Sequence, residues 1–340
     1  KVLVIDQLCL QIGVQTVSSS ANIVKFFFAF NAVHLVLWSV APSIGFSTPH
    51  LDIVENLIWG REWVMGSIKH PPLQGWLTEI AFLFGGVPGI YIFSQVCTVA
   101  TSYALFLFGR SFDNSYSGLI SGIIFLLSFY GTIGSTELNA NVISMPFWAF
   151  AGFFLWRILS QSPQKDRFSD WLGLSISIAL AFYAKYSVMF LLFGLFWAVL
   201  IHPSRAWIFK SLKFYFATVL TVILCLPNLI WLFNNDFQPL HYAAGRGLPL
   251  IGLERITSPL NFFAGVGLAF VLPVLLMILS GARFAPKKSS DYRFLFVLSF
   301  APLFAMMLLS AILGFGLKTM WGSSAAVFLP LKSSCDLRVG

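Results

Sequence analysis

Residues 171–201 read WLGLSISIALAFYAKYSVMFLLFGLFWAVLI, and Lys185 is the only charge among them. As one helix the stretch is too long for a hydrocarbon core that about 20 residues cross. As two short helices hinged at Lys185-Tyr186 it crosses and returns. The flanking charges decide between the two. Arg157, Lys165 and Arg167 precede the stretch, and Arg205, Lys210 and Lys213 follow it. A single crossing would put these clusters on opposite sides of the membrane, whereas two crossings keep both on the cytoplasmic side, where Lys and Arg collect. We therefore read helices at 170–184 and 187–201, with Lys185 at or just below the outer surface.

Working outward, further apolar runs lie at 22–44, 88–108, 116–133, 140–159, 212–233, 261–281, 294–315 and 318–331. With residue 1 cytoplasmic and the spans alternating, fifteen of the 21 Lys and Arg fall inside. The whole-chain composition agrees, with 58% hydrophobic and 10% charged residues and a mean hydropathy of +0.83. Those figures exclude a soluble enzyme and a disordered chain. Continuous apolar runs exclude a porin-type barrel, whose strands alternate. The net charge of +8 records membrane orientation, and no nucleic-acid partner is expected. The four cysteines form no disulfide framework and are read as reduced. The expected protein is an all-α polytopic membrane protein, a bundle of about ten transmembrane helices. Residues 1–21 form a cytoplasmic N-terminal segment, 22–332 the membrane domain, and 333–340 a short tail that leaves truncation open.

Titratable chemistry concentrates on the outer side. Seven of the thirteen acids lie there, four of them in the first outer loop, 45–87. Within that loop, residues 48–63 (TPHLDIVENLIWGREW) open like a helix, with Thr48 as N-cap and Pro49 at the first helical position. At helical spacing, Asp52, Glu55, Trp59 and Glu62 share one arc, opposite Leu51, Val54, Leu57 and Ile58. Such a helix lies in the membrane interface with its carboxylates toward an outer cavity. Lys69-His70-Pro71-Pro72-Leu73 follows, a stiff extended piece presenting two cations beside those acids. That juxtaposition suits a phosphate-bearing lipid headgroup, with a carboxylate as general base. Taken alone, each feature also fits a solvated interfacial helix and a proline-fixed turn.

Asp52-x-x-Glu55, Trp59-Gly60 and Lys69-His70-Pro71-Pro72-Leu73 resemble the first outer loop of GT-C membrane glycosyltransferases. The likeness points to the bacterial protein-mannosyltransferase and aminoarabinose-transferase superfamily, notably its galacturonosyltransferase (Rgt)-like branch. It continues through Asn139-Ala140-Asn141, Lys185-Tyr186, the run from Leu226 to Leu232, Asn235-Asp236-Phe237, His241-Tyr242, Arg246 and Leu317–Gly322. The resemblance implies a GT-C bundle with interfacial helices in its first outer loop. It also implies sugar transfer from a polyprenyl-phosphate donor to lipid A, core oligosaccharide, another glycan or a protein, at the periplasmic face of a bacterial inner membrane. Asp52 aligns with the family's catalytic aspartate. Relatives carry two adjacent acids there, whereas the second acid here, Glu55, lies three residues on.

On this basis Asp52 and Glu55 are the expected catalytic pair, and Lys69, His70 and Lys185 the donor-phosphate ligands. Glu137, Asn141, His241, Tyr242 and Arg246 are expected substrate contacts, the last three on a second long outer loop, 234–260. Glu137 and Asn141 read equally well as capping residues at a helix start. No metal-ligand spacing occurs, and no cofactor beyond the lipid-linked donor is expected. Two rivals stay open: a lipid or glycolipid flippase, whose ionisable groups would sit nearer the bilayer midplane, and an inactive truncated relative.

Overall fold

The computed structural model describes residues 20–246, 249–280, 283–284, 289–335 and 337–338. The expected N-terminal segment therefore lies almost wholly outside the described residues, as does Cys9. In chain order the helices are α1 (Ser20–Gly45), α2 (Leu51–Arg61), α3 (Leu73–Phe112), α4 (Ser115–Leu127), α5 (Ala140–Leu159), α6 (Phe168–Ala184) and α7 (Val188–Ile201). After a single turn at Arg205–Ile208 come α8 (Leu212–Asn234), α9 (Gln238–Arg246), α10 (Glu254–Leu268), α11 (Val271–Leu279), α12 (Ser290–Leu313) and α13 (Leu329–Cys335). Among the described residues, α1, α3, α5, α8 and α12 are long and apolar enough to cross a membrane, and α10 with α11, bent by 51° at the break, passes the same test as a pair. Shorter apolar helices at Ser115–Leu127, Phe168–Ala184, Val188–Ile201 and Ala325–Cys335 complete the bundle. The chain is an all-α, multi-pass membrane protein.

The core gathers around α5, whose Ile143, Trp148, Ala149, Ala151 and Ile158 are fully enclosed. Helices α3 and α6 pack along its two sides. Small residues set the close approaches. Gly122 of α4 admits the Phe27 ring, which stacks on Phe106 at 4.3 Å, and Gly194 of α7 receives Pro302 of α12. Buried hydroxyls pair across helices, as at Ser144–Ser324 (2.6 Å) and Ser121–Ser334 (2.6 Å). Helix α5, twenty residues long, carries the chain about 30 Å to the opposite end of the bundle. There Arg157 pairs with Asp170 at 3.1 Å and Lys213 with Asp166 at 3.1 Å, fastening α5, α6 and α8 together.

The stretch that sets the topology, 171–201, forms two helices. Lys185 ends α6 in extended geometry (φ −163°, ψ 134°), and α7 starts at Val188. Three details depart from the sequence expectation. Helix α2 starts at Leu51, with His50 rather than Thr48 at the N-cap, because the backbone N–H groups of Ile53 and Val54 both donate to the His50 carbonyl. The expected span 318–331 is instead a pair of 3₁₀ turns, Thr319–Gly322 and Ala325–Phe328, running into α13. Non-helical backbone is tolerated there because residues 322–328 are enclosed by protein. Finally, α10 begins at Glu254, ahead of the expected 261. Its first turns carry Glu254, Thr257, Ser258 and Asn261, which hide the helix from a hydropathy scan.

The 45–87 stretch holds two helical pieces besides the span. One is α2. The other is the opening arm of α3, residues 73–84, which bends into the long span at Gly85 and Gly86, the latter at φ 60° and ψ −149°, a region open to glycine. The two pieces cross at Gly60 and Gly75. A Cβ at Gly60 would strike the Gly75 carbonyl oxygen and lie 2.7 Å from the Glu79 Cβ. Arg61 reaches Glu79 across the same crossing at 3.8 Å.

Candidate active site

Helix α2 has three faces. Ile53, Asn56 and Gly60 are buried against the protein, Leu51, Val54 and Ile58 are exposed apolar residues, and Asp52 and Glu55 lie half-buried between. The residues at 137–139 dock it. Asn56 Nδ2 donates to the Leu138 carbonyl at 3.0 Å, and the Glu137 carboxylate accepts from the Asp52 backbone N–H. Glu137 thereby caps α2, whose N-cap residue His50 makes no side-chain cap. The start of α5 is capped separately by Asn139, whose Oδ1 accepts from the N–H groups of Asn141 (2.9 Å) and Val142 (3.2 Å). Glu137 and Asn141 are thus released from capping their own helix.

Asn141 Oδ1 instead accepts a hydrogen bond from Lys185 Nζ. Lys185 sits at the hinge, outside both helices. Burial pulls its ammonium pKa down to about 8, against the opposing pull of the Asp52 carboxylate. The Glu137 carboxyl moves the other way, raised by burial and by Asp52, with His50 and the Asn139 side chain acting against the rise. One cluster therefore gathers Asp52, Glu137, His50, Asn139, Asn141 and Lys185. Lys185 falls into the group around Asp52 rather than beside Lys69.

A second cluster lies about one turn further along α2. Glu55 Oε1 takes a short charge-assisted hydrogen bond from Lys69 Nζ, and the Tyr242 ring from α9 covers the same ammonium at 5.5 Å. Burial acts to lower the Lys69 pKa, but Glu55 and Tyr242 outweigh it and the net shift is upward. His70 stands edge-on to Trp59, ring centroids 6.3 Å apart, and its backbone is stapled to Ser67 by an N–H···O bond of 2.9 Å. Asp52 and Glu55 share the expected face, yet each has its own partners. His241 is exposed on α9, and the Arg246 side chain lies outside the described residues.

The loop bearing Lys69 is anchored by residues whose weight spacing alone gave no means of judging. Asn228 of α8 donates to the Met65 carbonyl and accepts from Tyr186 Oη at 2.9 Å. Gly66 packs against the Trp231 ring, and Trp76 Nε1 donates to the Val64 carbonyl at 3.1 Å. The Lys185-Tyr186 pair and the 226–232 run thus serve a shared purpose. Lysine meets Asn141 near Asp52, while tyrosine steadies Asn228 under the Lys69 loop. Among the described residues no group of three or more His, Cys, Asp or Glu is placed to hold a metal ion.

Residues 69–231, from the Lys69 loop through the Asn228 anchor, match the family model described as dolichyl-phosphate-mannose-protein mannosyltransferase. ArnT from Cupriavidus metallidurans, in a crystal structure of its apo state, has a similar fold. Its TM-score is 0.66 at 13% identity, over 94% of this chain and 60% of that one. This chain has the GT-C fold. At that identity the likeness concerns architecture, and the chain spans about three-fifths of ArnT's length. No curated protein sequence matches it. The GT-C bundle accounts for both the crowded helices behind the site and the two interfacial pieces, α2 and the arm of α3, that carry it.

Proposed function

We propose that this GT-C protein is a glycosyltransferase that moves a sugar from a polyprenyl-phosphate donor to a glycan, glycolipid or protein acceptor. We place the reaction at the periplasmic face of a bacterial inner membrane, on the charge bias of the loops. The observation that carries the proposal is that α2 presents Asp52 beside Glu137 and Lys185, and Lys69 about one turn on. An acid site and a cation site thus lie together at one end of a lipid-embedded bundle. The family match, named for a dolichyl-phosphate-mannose donor, supports the lipid-phosphate class. Within that class, the Lys69–Leu73 run inclines us to the galacturonosyltransferase-like branch.

In this scheme the Asp52 carboxylate takes the proton of an acceptor hydroxyl as its oxygen attacks the anomeric carbon. The bond from that carbon to the phosphate oxygen breaks, configuration inverts, and polyprenyl phosphate departs with the bonding pair. Lys69, with His70 beside it, neutralises the departing phosphate. Glu55 holds the Lys69 ammonium in place until phosphate displaces it. Glu137, its pKa raised by burial and by Asp52, contacts the substrate beside Asp52, the base. Lys185 tethers Asn141 and steadies the charge on Asp52.

The test is transfer by membranes containing this chain, with radiolabelled polyprenyl-phosphate sugars and lipid A, core or peptide acceptors. Asp52→Asn membranes serve as control. Transfer that vanishes in the control supports the class and names the sugar; transfer undiminished in Asp52→Asn overturns the mechanism.

A further inference from the structure

Apart from the Asp52 and Lys69 clusters, the structure has an open cleft of about 410 Å³ between α10 and the segment that ends at Thr319. Glu254, Thr257, Ser258 and Asn261 form one wall, at i, i+3, i+4 and i+7 of α10, a single helical face. Thr319 faces them from the other side, and Phe262 adds apolar surface. The mouth is braced where Leu250 N–H donates to the Gly314 carbonyl at 2.7 Å.

The polar wall gathers these four groups on one cleft. Many helical hydroxyls elsewhere turn back on their own helix: Thr78 Oγ1 donates to the Gln74 carbonyl at 2.7 Å, Thr98 to Ser94 at 3.0 Å, Ser175 to Trp171 at 3.0 Å and Thr221 to Ala217 at 2.8 Å. Among the described residues, the side chains of Thr257, Ser258, Asn261 and Thr319 make no hydrogen bond within the chain. Hydroxyl, amide and carboxylate groups therefore line the cleft with their hydrogen-bonding capacity available to a ligand.

Charge narrows the ligand. Glu254 is the one acidic or basic residue in the lining, its carboxylate accepting from the Ile251 N–H at 3.3 Å. Arg255, next in the chain, donates to the carbonyls of Leu250 (3.2 Å) and Ile312 (3.3 Å), and Lys318, between Leu317 and Thr319, is not among the lining residues. A lining with a carboxylate and, among the described residues, no cation disfavours phosphate or uronate. It suits a polyol whose hydroxyls both donate to Glu254 and exchange hydrogen bonds with Asn261 and the threonines. The volume falls within the usual range of small-molecule sites, about 300–1,000 Å³.

We propose that this cleft binds a neutral, hydroxyl-rich saccharide. Resting on the transferase reading, that saccharide is the non-reacting portion of the acceptor glycan. The test is calorimetric and saturation-transfer NMR titration of the full chain, purified in detergent, with neutral disaccharides (lactose, maltose, mannobiose) and the acidic digalacturonate. We expect at least one neutral disaccharide to bind and digalacturonate to bind at least tenfold more weakly. Asn261→Leu should weaken the neutral sugar at least tenfold. Ser258→Ala, a smaller change that leaves the fold intact, should weaken it several-fold, and Glu254→Gln should narrow the gap to digalacturonate.

No neutral saccharide binding by folded wild type, equal Kd in the Asn261→Leu and Ser258→Ala variants, or preference for digalacturonate overturns the proposal. Wild-type transfer, assayed on the same protein, separates the two readings. Saccharide binding without wild-type transfer leaves the cleft standing without the transferase. Intact transfer with no saccharide binding does the reverse.

Discussion

Asp52 occupies the first turn of α2, where a helix start leaves backbone N–H groups without partners and favours negative charge. Glu137 takes one of those donors and in doing so brings a second carboxyl to the same point. Two nearby carboxyls divide the work, the more buried one holding its proton longer. Glu137→Gln, which imitates the protonated form, should therefore keep more transfer activity than Glu137→Ala, measured as kcat/KM in matched membranes. Asp52→Asn should lose on the order of 10²–10⁴ in rate while the thermal transition stays put. Lys185 sets a pH limb. Its folded ammonium titrates near 8 against 10.5 in an unfolded chain, so between those values the unfolded state holds more protons and stability rises with pH. Activity should move oppositely, falling as pH passes 8 and Asp52 loses its counter-charge. A Lys185→Arg variant, ionised throughout, should flatten that limb of the pH–rate profile.

At the scale of elements, the site depends on how two short interfacial helices cross. Gly60 and Gly75 let α2 and the arm of α3 touch backbone to backbone, which registers Asp52 against Glu137 and Glu55 against Lys69. Gly60→Ala should push α2 outward, costing about 1–3 kcal/mol by overpacking and a larger fraction of activity than of fold. Comparing Tm with transfer rate across Gly60→Ala and Gly60→Ser checks this. The Lys69 loop relies on α8 in the same way. Asn228→Ala strands the Met65 carbonyl and the Tyr186 hydroxyl, a loss of about 1–3 kcal/mol. Limited proteolysis should show earlier cleavage within 62–72, with the spans protected.

The whole molecule is a bundle with the Asp52 and Lys69 clusters at one end and the ion pairs Arg157–Asp170 and Lys213–Asp166 fastening the other. Its orientation is open to direct measurement. In intact cells an impermeant thiol reagent should label Ser47→Cys, between α1 and α2, without permeabilisation. It should label Ser162→Cys, between α5 and α6, only after permeabilisation. The reverse pattern would invert the topology and move the proposed reaction to the cytoplasm. Background labelling should be small for Cys97, Cys225 and Cys335, which are buried.

Composition and the spacing of apolar runs were enough for the class of fold, because a bilayer demands long hydrogen-bonded apolar helices whatever the side-chain detail. Charge placement also resolved 171–201 into two helices, and helical periodicity put Asp52 and Glu55 on one face, since both signals are local. Local signals failed where polarity or irregularity mixed with span-like runs. The polar first turns of α10 concealed its start, and the segment after Lys318 looked like a span while folding into enclosed 3₁₀ turns. Of the partnerships, only the nearness of Lys69 to the acids of α2 was legible in the sequence. That Glu137 caps α2 rather than α5, that Lys185 groups with Asp52 while Glu55 takes Lys69, and that Asn228 anchors a loop far away in the chain are decided by packing. Those contacts join residues brought together only when α2, α5, α8 and the hinge between α6 and α7 converge, and no spacing within one helix encodes them.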